Sequence, residues 1–231
     1  MLELQDIGAY YGKAQALHGL SFDVSPDEIV ALLGRNGAGK TTTFRSIMGT
    51  GPRVEGTIRF NGENITGLPP EKVFDKGISW IPESQRIFPN LTVEENLKMG
   101  VRGKRAPDNF EEIFELFPRL EERLNQRAGT MSGGERQMLA LGRGLVSDPE
   151  LLLVDEPFEG LMPILVDEVG ETLDELAERE LSMVITEQQT EAVLEIADRA
   201  VIIEKGEVTH VGDAAKLAAD NELQERYLGV Q

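Results

Sequence analysis

The chain has 231 residues, of which 40% are hydrophobic, and it contains no cysteine and two histidines. This composition excludes disulfides, thiol nucleophiles and zinc sites of the usual Cys/His kind. The 41 acidic residues outnumber the 23 basic ones, and the resulting net charge of −18 argues against a nucleic-acid partner.

The acidic composition has two interpretations. An ordinary solvated surface explains it without a specific partner. Alternatively, the protein works in a high-salt cytoplasm, where a Debye length of about 3 Å at about 1 M salt screens self-repulsion. Lysine is scarcer than arginine, as in halophilic proteins, so a halophilic organism is one hypothesis.

The first residues and the hydropathy pattern indicate whether an export signal or a membrane span is present. No basic start is followed by an apolar run, as an export signal would require. No stretch approaches the roughly 18 uncharged apolar residues that a membrane span needs. We therefore expect a soluble chain, whose role at a membrane would have to come through a partner.

The first 89 residues are predicted to be mainly strands around one helix. The pattern predicts, in chain order, strands within residues 2–33 that end in the apolar run 29–33, a helix at 42–48, and strands at 57–60 and 78–81. Gly12-Lys13, Ser25-Pro26-Asp27 and Asn61-Gly62 are predicted turns.

From residue 90 to about residue 149 the spacing becomes helical. Thr92 and Glu95 form a predicted capping box at the start of one helix. An apolar stripe with helical spacing, more typical of a core than of a ligand site, comprises Phe110, Ile113, Phe114 and Phe117. Strands then return at 151–154, 182–186, 200–204 and 207–211, and an amphipathic helix is predicted over 213–228.

Strands that alternate with helices predict an α/β fold with a mostly parallel sheet. We expect a single domain, whose α/β core is built from residues 1–89 and 150–231 and carries an antiparallel sheet at its N-terminus. Residues 90–149 are the predicted helical subdomain, inserted between two strands of the core.

A glycine-rich segment between the apolar strand 29–33 and the following helix matches the pattern G-x-x-x-x-G-K-[ST]. Its residues, with the one that follows, are Gly34, Arg35, Asn36, Gly37, Ala38, Gly39, Lys40, Thr41 and Thr42. Glycines let backbone N–H groups approach phosphate oxygens, and the positive helix end faces the same charge. Lys40 is expected to reach the β and γ phosphates of ATP and Thr41 to ligate Mg²⁺.

Two carboxylates follow the apolar strand 151–154. The ends of such strands face the ligand crevice of an α/β sheet. Asp155 is therefore placed to hold Mg²⁺, and Glu156 to polarise the attacking water. An acidic turn before Pro157 is the alternative explanation.

A third motif has the sequence Met-Ser-Gly-Gly-Glu-Arg-Gln from Met131 to Gln137. A flexible helix N-cap would explain it, but it resembles the signature motif of ABC ATPases and lies in the order typical of that family. The resemblance implies a P-loop ABC ATPase core in which two nucleotide-binding domains enclose two ATP molecules. Ser132, Gly133, Gly134 and Glu135 would then contact the ATP held by the partner's phosphate loop.

Other family elements are carried over on the same resemblance. Tyr11 corresponds to the aromatic residue that stacks on adenine. Glu83 stands where the family usually has a glutamine that reaches Mg²⁺, and Gln188 where it usually has a histidine that senses the γ-phosphate. Met162-Pro163 replaces the usual aspartate-bearing turn. These departures, with the terminal Arg226-Tyr227-Leu228-Gly229, resemble the smaller ATPase subunit of branched-chain amino acid importers.

The resemblance implies a Mg²⁺-dependent ATPase that powers uptake of branched-chain (hydrophobic) amino acids. Its expected partners are a second, nonidentical ATPase subunit, two transmembrane permease subunits and, indirectly, an extracellular solute-binding protein. Glu156, Gln188 and Lys40 are the expected catalytic residues. The alternatives are a urea or short-chain amide importer, a non-transport ABC ATPase, and a module that binds nucleotide without turnover. Homodimer, heterodimer and monomer remain open for the isolated chain.

Overall fold

The computed structural model describes residues 1–83, 87–102, 110–188, 191–220 and 222. The strands are β1 Leu2–Tyr11, β2 Ala14–Val24, β3 Ile29–Leu33, β4 Arg53–Phe60, β5 Glu63–Asn64, β6 Ile78–Ile81, β7 Leu151–Asp155, β8 Ser182–Glu187, β9 Arg199–Glu204 and β10 Glu207–Asp213. The helices are α1 Lys40–Ile47, α2 Pro70–Asp75, α3 Val93–Lys98, α4 Glu111–Leu116, α5 Pro118–Glu121, α6 Gly133–Leu145, α7 Pro163–Glu178, α8 Glu191–Ile196 and α9 Ala214–Ala219.

The strands form two sheets. One has the order β2-β1-β4-β5 and is antiparallel, as predicted for the N-terminal region. The other has the order β10-β9-β3-β8-β7-β6, in which only the β9–β10 hairpin is antiparallel. The predicted mostly parallel α/β sheet is therefore present.

The six-stranded sheet is buried on both faces, and β3 shows how. All five of its residues are buried, and they alternate between two apolar clusters. Ile29, Ala31 and Leu33 belong to the cluster formed with the helices between residues 93 and 217, whereas Val30 and Leu32 belong to the cluster formed with the four-stranded sheet and α1. This period of two explains why the sequence shows a continuous apolar run rather than an alternating one.

The structure corrects several predicted element boundaries. Helix α1 begins at Lys40 instead of Thr42, because Gly39 at φ 117 provides the N-cap turn. Strand β4 begins at Arg53, four residues before the predicted start, and pairs with Tyr10. A register shift opposite Gly56, whose φ is 93, interrupts the apolar pattern there.

Helices are present at both of the remaining predicted helical segments. In the predicted apolar stripe, Phe110, Ile113 and Phe117 are buried and Phe114 is half-buried; α4 ends at Leu116 because Pro118 starts a separate short helix. The last helix, predicted over 213–228, is described only to Ala219, with the Asp213 side chain as its N-cap. The remainder of that prediction, including Arg226 to Gly229, lies outside the described residues.

The Thr92–Glu95 capping box is confirmed at the start of α3. Of the described residues between 90 and 149, those in elements are helical: α3, α4, α5, a 3₁₀ turn at Ala128–Thr130, and α6. This segment enters after β6 and leaves into β7, which are paired neighbours at one edge of the six-stranded sheet. The limits of the helical subdomain, 90–149, stay a prediction.

Candidate functional site

The glycine-rich loop connects the buried strand β3 to helix α1. Gly37 and Gly39 have φ values of 78 and 117, which residues with a side chain rarely adopt. A Cβ on Gly39 would also lie 2.7 Å from Leu17 Cδ2. The loop is tied to the β9–β10 turn by Gly206 N–H, which donates to the Ala38 carbonyl at 2.8 Å. The glycines are thus required by backbone geometry and close packing.

The loop forms one wall of a cavity of about 460 Å³. Residues 36–42 line it, together with Glu83, Glu156 and part of β2. A second cavity, of about 670 Å³, lies against the same loop and includes Arg35 and Gln188. The structure therefore brings most of the predicted phosphate-binding residues together with the predicted catalytic ones.

Lys40 and Gln188 both contact the carboxylate of Glu156. Lys40 Nζ lies 3.1 Å from Glu156 Oε1 and donates a hydrogen bond to the Gly34 carbonyl at 2.7 Å. Gln188 Nε2 donates to Glu156 Oε2 at 2.8 Å. Lys40 and Glu156 are both buried. The three predicted catalytic residues therefore form one connected polar row beside the cavity.

Asp155 ends β7 and is almost fully buried. Its Oδ1 accepts hydrogen bonds from Thr186 Oγ1 at 2.6 Å and from Thr41 Oγ1 at 3.4 Å. Burial raises the pKa of Asp155, and the nearby carboxylates of Glu156 and Glu83 add to the effect. Its Oδ2 is buried and has no hydrogen-bond partner within the described part of the chain.

A divalent cation fits this corner of the site. An orphaned, buried carboxylate oxygen costs free energy unless a cation or donor satisfies it. The Thr41 hydroxyl is within contact of the same carboxylate, and hard oxygen donors are what Mg²⁺ prefers. Thr41 and Asp155 thus form a compatible donor set.

Glu83 faces the same region from the residues after β6. Carboxylate oxygens of Glu83, Glu156 and Glu159 all lie within 4.8 Å of one another. Burial raises the pKa of Glu159, and a hydrogen bond with Glu83 raises it further. The structure therefore places Glu83 beside the predicted water activator, although its carboxylate is exposed.

Glu187, the last residue of β8, was not identified from the sequence. Its side chain is buried and accepts hydrogen bonds from two backbone N–H groups, Phe158 at 3.0 Å on Oε1 and Gln188 at 3.1 Å on Oε2. Burial raises the pKa of Glu187 from 4.5 to about 7 against the lowering effect of those hydrogen bonds. Thr186 was also missed; its carbonyl and hydroxyl both accept from Glu156 N–H.

The Ser-Gly-Gly-Glu motif begins helix α6 and does not line the two cavities beside the phosphate loop. Ser132 is the N-cap and forms a capping box with Glu135. The Ser132 N–H holds the pKa of Glu135 below its usual value, with help from Arg123 at 2.8 Å. A Cβ on Gly134 would lie 2.5 Å from Leu165 Cδ2, whereas Gly133 faces open space. Ser132 therefore caps the start of α6, and Gly134 is required by close packing against Leu165.

Tyr11 ends β1 and is 39% exposed. Arg45 donates a long hydrogen bond of 3.5 Å to its hydroxyl. It is not among the residues that line the two cavities. The structure leaves its ring accessible but does not place it against the phosphate loop, so adenine stacking stays a prediction.

The comparisons with known proteins identify the family. Residues 17–159, more than half of the chain, match the family described as ABC transporter. The chain belongs to the ABC transporter family. It is thus an ATP-hydrolysing cassette, as its motifs predicted.

The similarity extends beyond the matched segment. The chain is 44% identical to the high-affinity branched-chain amino acid transport ATP-binding protein BraG of Pseudomonas aeruginosa, covering 99% of this chain and all of that one. It is 34% identical to the probable branched-chain amino acid transport ATP-binding protein LivF of Archaeoglobus fulgidus, and the match covers 100% of this chain and 99% of that protein. The lipopolysaccharide export system ATP-binding protein LptB of Haemophilus influenzae is 33% identical, and the match covers 100% of this chain and 98% of that protein.

Solved structures agree on the fold. The ATP-binding cassette MJ1267 in its ADP conformation superposes with a TM-score of 0.86 at 25% identity, covering 100% of this chain and 99% of that one. In the part of the chain that the structure describes, no helix has the length and apolar character needed to cross a bilayer.

Proposed function

We propose that this ABC ATPase hydrolyses ATP to power the import of branched-chain, hydrophobic amino acids. The observation that carries the proposal is the end-to-end identity of 44% with an ATP-binding protein of branched-chain amino acid transport. The connected row of Lys40, Glu156 and Gln188 beside the phosphate loop supports hydrolysis as the reaction.

In this proposal the chain's own residues divide the work of hydrolysis. Backbone N–H groups of residues 36–41 bind the phosphates, and Lys40 leaves Glu156 to meet the β and γ phosphates. Glu156 accepts a proton from the attacking water. The amide of Gln188 orients that water by a hydrogen bond. An amide cannot carry a proton, so Gln188 acts by hydrogen bonding alone.

Thr41 and Asp155 would hold Mg²⁺, with Glu83 close enough to contribute. When bound, Mg²⁺ neutralises charge that develops on the transferred phosphoryl group. The buried, unpartnered Oδ2 of Asp155 is the structural observation that favours a cation there.

We further propose that the site is completed by a second, nonidentical ATPase subunit. Ser132 to Glu135 lie outside the two cavities beside this chain's phosphate loop, which is consistent with their contacting nucleotide bound to a partner. ATP would close the pair and hydrolysis would reopen it. The pair would lie at the cytoplasmic face of the cell membrane and pass this motion to two transmembrane permease subunits through the Glu83 loop and the helical subdomain. An extracellular binding protein would supply the solute.

Reconstituted transport tests this function. The chain is assembled with its co-purifying subunits in liposomes, and ATP-dependent uptake of labelled leucine, valine and urea is measured. We expect uptake of leucine and valine but not urea, and none with a Glu156→Gln variant. Uptake of urea alone, or ATP hydrolysis without any solute uptake, would contradict the proposed substrate.

A further inference from the structure

A buried carboxylate connects the two loops that carry the proposed catalytic groups. Glu187 is 3% exposed and lies at the end of β8, next to the paired end of β7. Its two oxygens accept from different loops, Oε1 from Phe158 N–H and Oε2 from Gln188 N–H. Phe158 lies two residues after Glu156, so one side chain bridges both loops.

Glu156 has an unusual backbone that needs such support. Its φ is 48, a left-handed value that a non-glycine residue seldom adopts without external constraint. Glu156 N–H donates to Thr186 on one side, and the bridge from Glu187 holds the chain two residues further on. The loop is therefore fixed to β8 on both sides of the Glu156 side chain.

We propose that Glu187 is a positioning residue for ATP hydrolysis, which sets the Glu156 and Gln188 side chains at their mutual contact by holding both loops. The inference rests on the proposed function of this site in hydrolysis. Glu187 lies outside the phosphate cavity, so it acts on the geometry of the reacting groups and not on nucleotide binding.

The chemistry of the bridge explains why a carboxylate occupies the position. Both backbone partners are donors, and an ionised carboxylate offers acceptors on both oxygens. A glutamine of the same shape offers one acceptor and would turn an N–H₂ group toward one of the two backbone N–H groups. A buried carboxylate is costly unless it is hydrogen-bonded, so the bridge must offset that cost.

A matched pair of variants tests the proposal. Glu187→Gln removes one acceptor at the carboxyl end of the parallel sheet. Glu28→Gln makes the same change at the other end, where Glu28 accepts from Ser25 N–H at 2.7 Å and pairs with Arg199 at 2.7 Å. Steady-state ATP hydrolysis is measured for each in the assembled transporter, with thermal melting to compare stability.

We expect Glu187→Gln to lower kcat about tenfold while the KM for ATP changes less than about twofold, because small displacements of reacting groups are costly. Glu28→Gln should lose stability but keep kcat within about twofold of wild type. An unchanged kcat in Glu187→Gln, or an equal fall in kcat in Glu28→Gln, would overturn the proposal.

A second variant and the wild-type assembly serve as controls for this test. If Glu187→Gln does not accumulate as folded protein, Glu187→Asp replaces it in the test. Aspartate keeps the charge but is one methylene too short to bridge both loops, so the same loss of kcat is expected. A wild-type kcat in Glu187→Asp would overturn the proposal. A wild-type assembly without ATP turnover would contradict the proposed function itself. Wild-type turnover with an unaffected variant would contradict only the role of Glu187.

Discussion

At the scale of single residues, the buried carboxylate of Glu187, next to Gln188, makes the stability of the protein depend on pH. Glu187 has a folded-state pKa of about 7, raised from 4.5 mainly by burial. The folded protein therefore binds this proton more tightly than the unfolded chain does. Between about pH 4.5 and pH 7 the unfolded chain releases this proton while the folded protein retains it, so the contribution of Glu187 to stability falls as pH rises.

Glu187→Gln should remove this pH dependence. We expect the free energy of unfolding of wild type, relative to the variant, to fall by up to about 3 kcal/mol as pH rises from 5 to 8. Urea unfolding curves recorded at intervals across that range measure the difference directly, and both proteins share their other titrating groups. A difference that stays constant, or that increases with pH, would contradict the buried-carboxylate assignment.

The residues of the candidate site could be predicted from the sequence to different degrees. Gly34 to Thr41 could be predicted because the requirement is local: a strand, a phosphate-wrapping loop and a helix in succession. Thr186 and Glu187 could not, because their partners Glu156 and Phe158 are about 30 positions away and become neighbours only when β7 pairs with β8. A carboxylate directly before Gln188 was the available signal, yet in sequence it looks like an ordinary polar strand end.

At the scale of elements, two helices begin with the same device but differ in their expected roles. Thr92 caps α3 and Ser132 caps α6, each through a capping box with a glutamate three residues later. Loss of either hydroxyl removes one acceptor for an otherwise unpaired N–H group. Only Ser132 belongs to the motif proposed to contact nucleotide on the partner.

Alanine substitutions at these two caps separate folding from assembly. Ser132→Ala and Thr92→Ala should each cost about 1 kcal/mol of stability. In a Glu156→Gln background that retains ATP, only Ser132→Ala should weaken ATP-dependent association of the ATPase subunits, measured by sedimentation. Equal association in both variants would remove Ser132 from the shared site.

Element boundaries were harder to predict than element types. The start of β4 was predicted four residues late because Gly56 and the nearby charged residues interrupt its apolar pattern, although Val54 pairs with Ala9 across the sheet. Helix α1 was predicted two residues late because Lys40 and Thr41 are polar, and they are polar because they line the cavity. In both cases a requirement of tertiary structure or function overrides the local periodicity.

At the scale of the whole molecule, the net charge of −18 is the most unusual feature. Like charges on one compact chain repel, and salt reduces that repulsion. The ion pairs at the surface, such as Lys98 with Glu94, are worth little each. Screening of the excess negative charge should therefore dominate the response to salt.

We accordingly expect the melting temperature to rise between 0.1 M and 1 M KCl. For a chain of this size, each kcal/mol of added stability raises the melting temperature by about 2–4 °C. Thermal melts followed by circular dichroism at several KCl concentrations test this. A melting temperature highest in low salt would exclude the high-salt hypothesis and favour an ordinary acidic surface.

We propose that the whole assembly binds ATP at the phosphate loop and hydrolyses it with Glu156 as the water activator. Glu156→Gln keeps the size of the side chain but loses the charge that holds Lys40 at 3.1 Å. Lys40 is then released toward the phosphates, so ATP affinity should be equal to wild type or tighter.

Comparison of ATP binding and ATP turnover in wild type and Glu156→Gln tests this claim most directly. In the assembled transporter, we expect binding to be retained and turnover to fall at least about 100-fold, the usual range for loss of a general base. Turnover at the wild-type rate, or a loss of binding in proportion to turnover, would contradict the account.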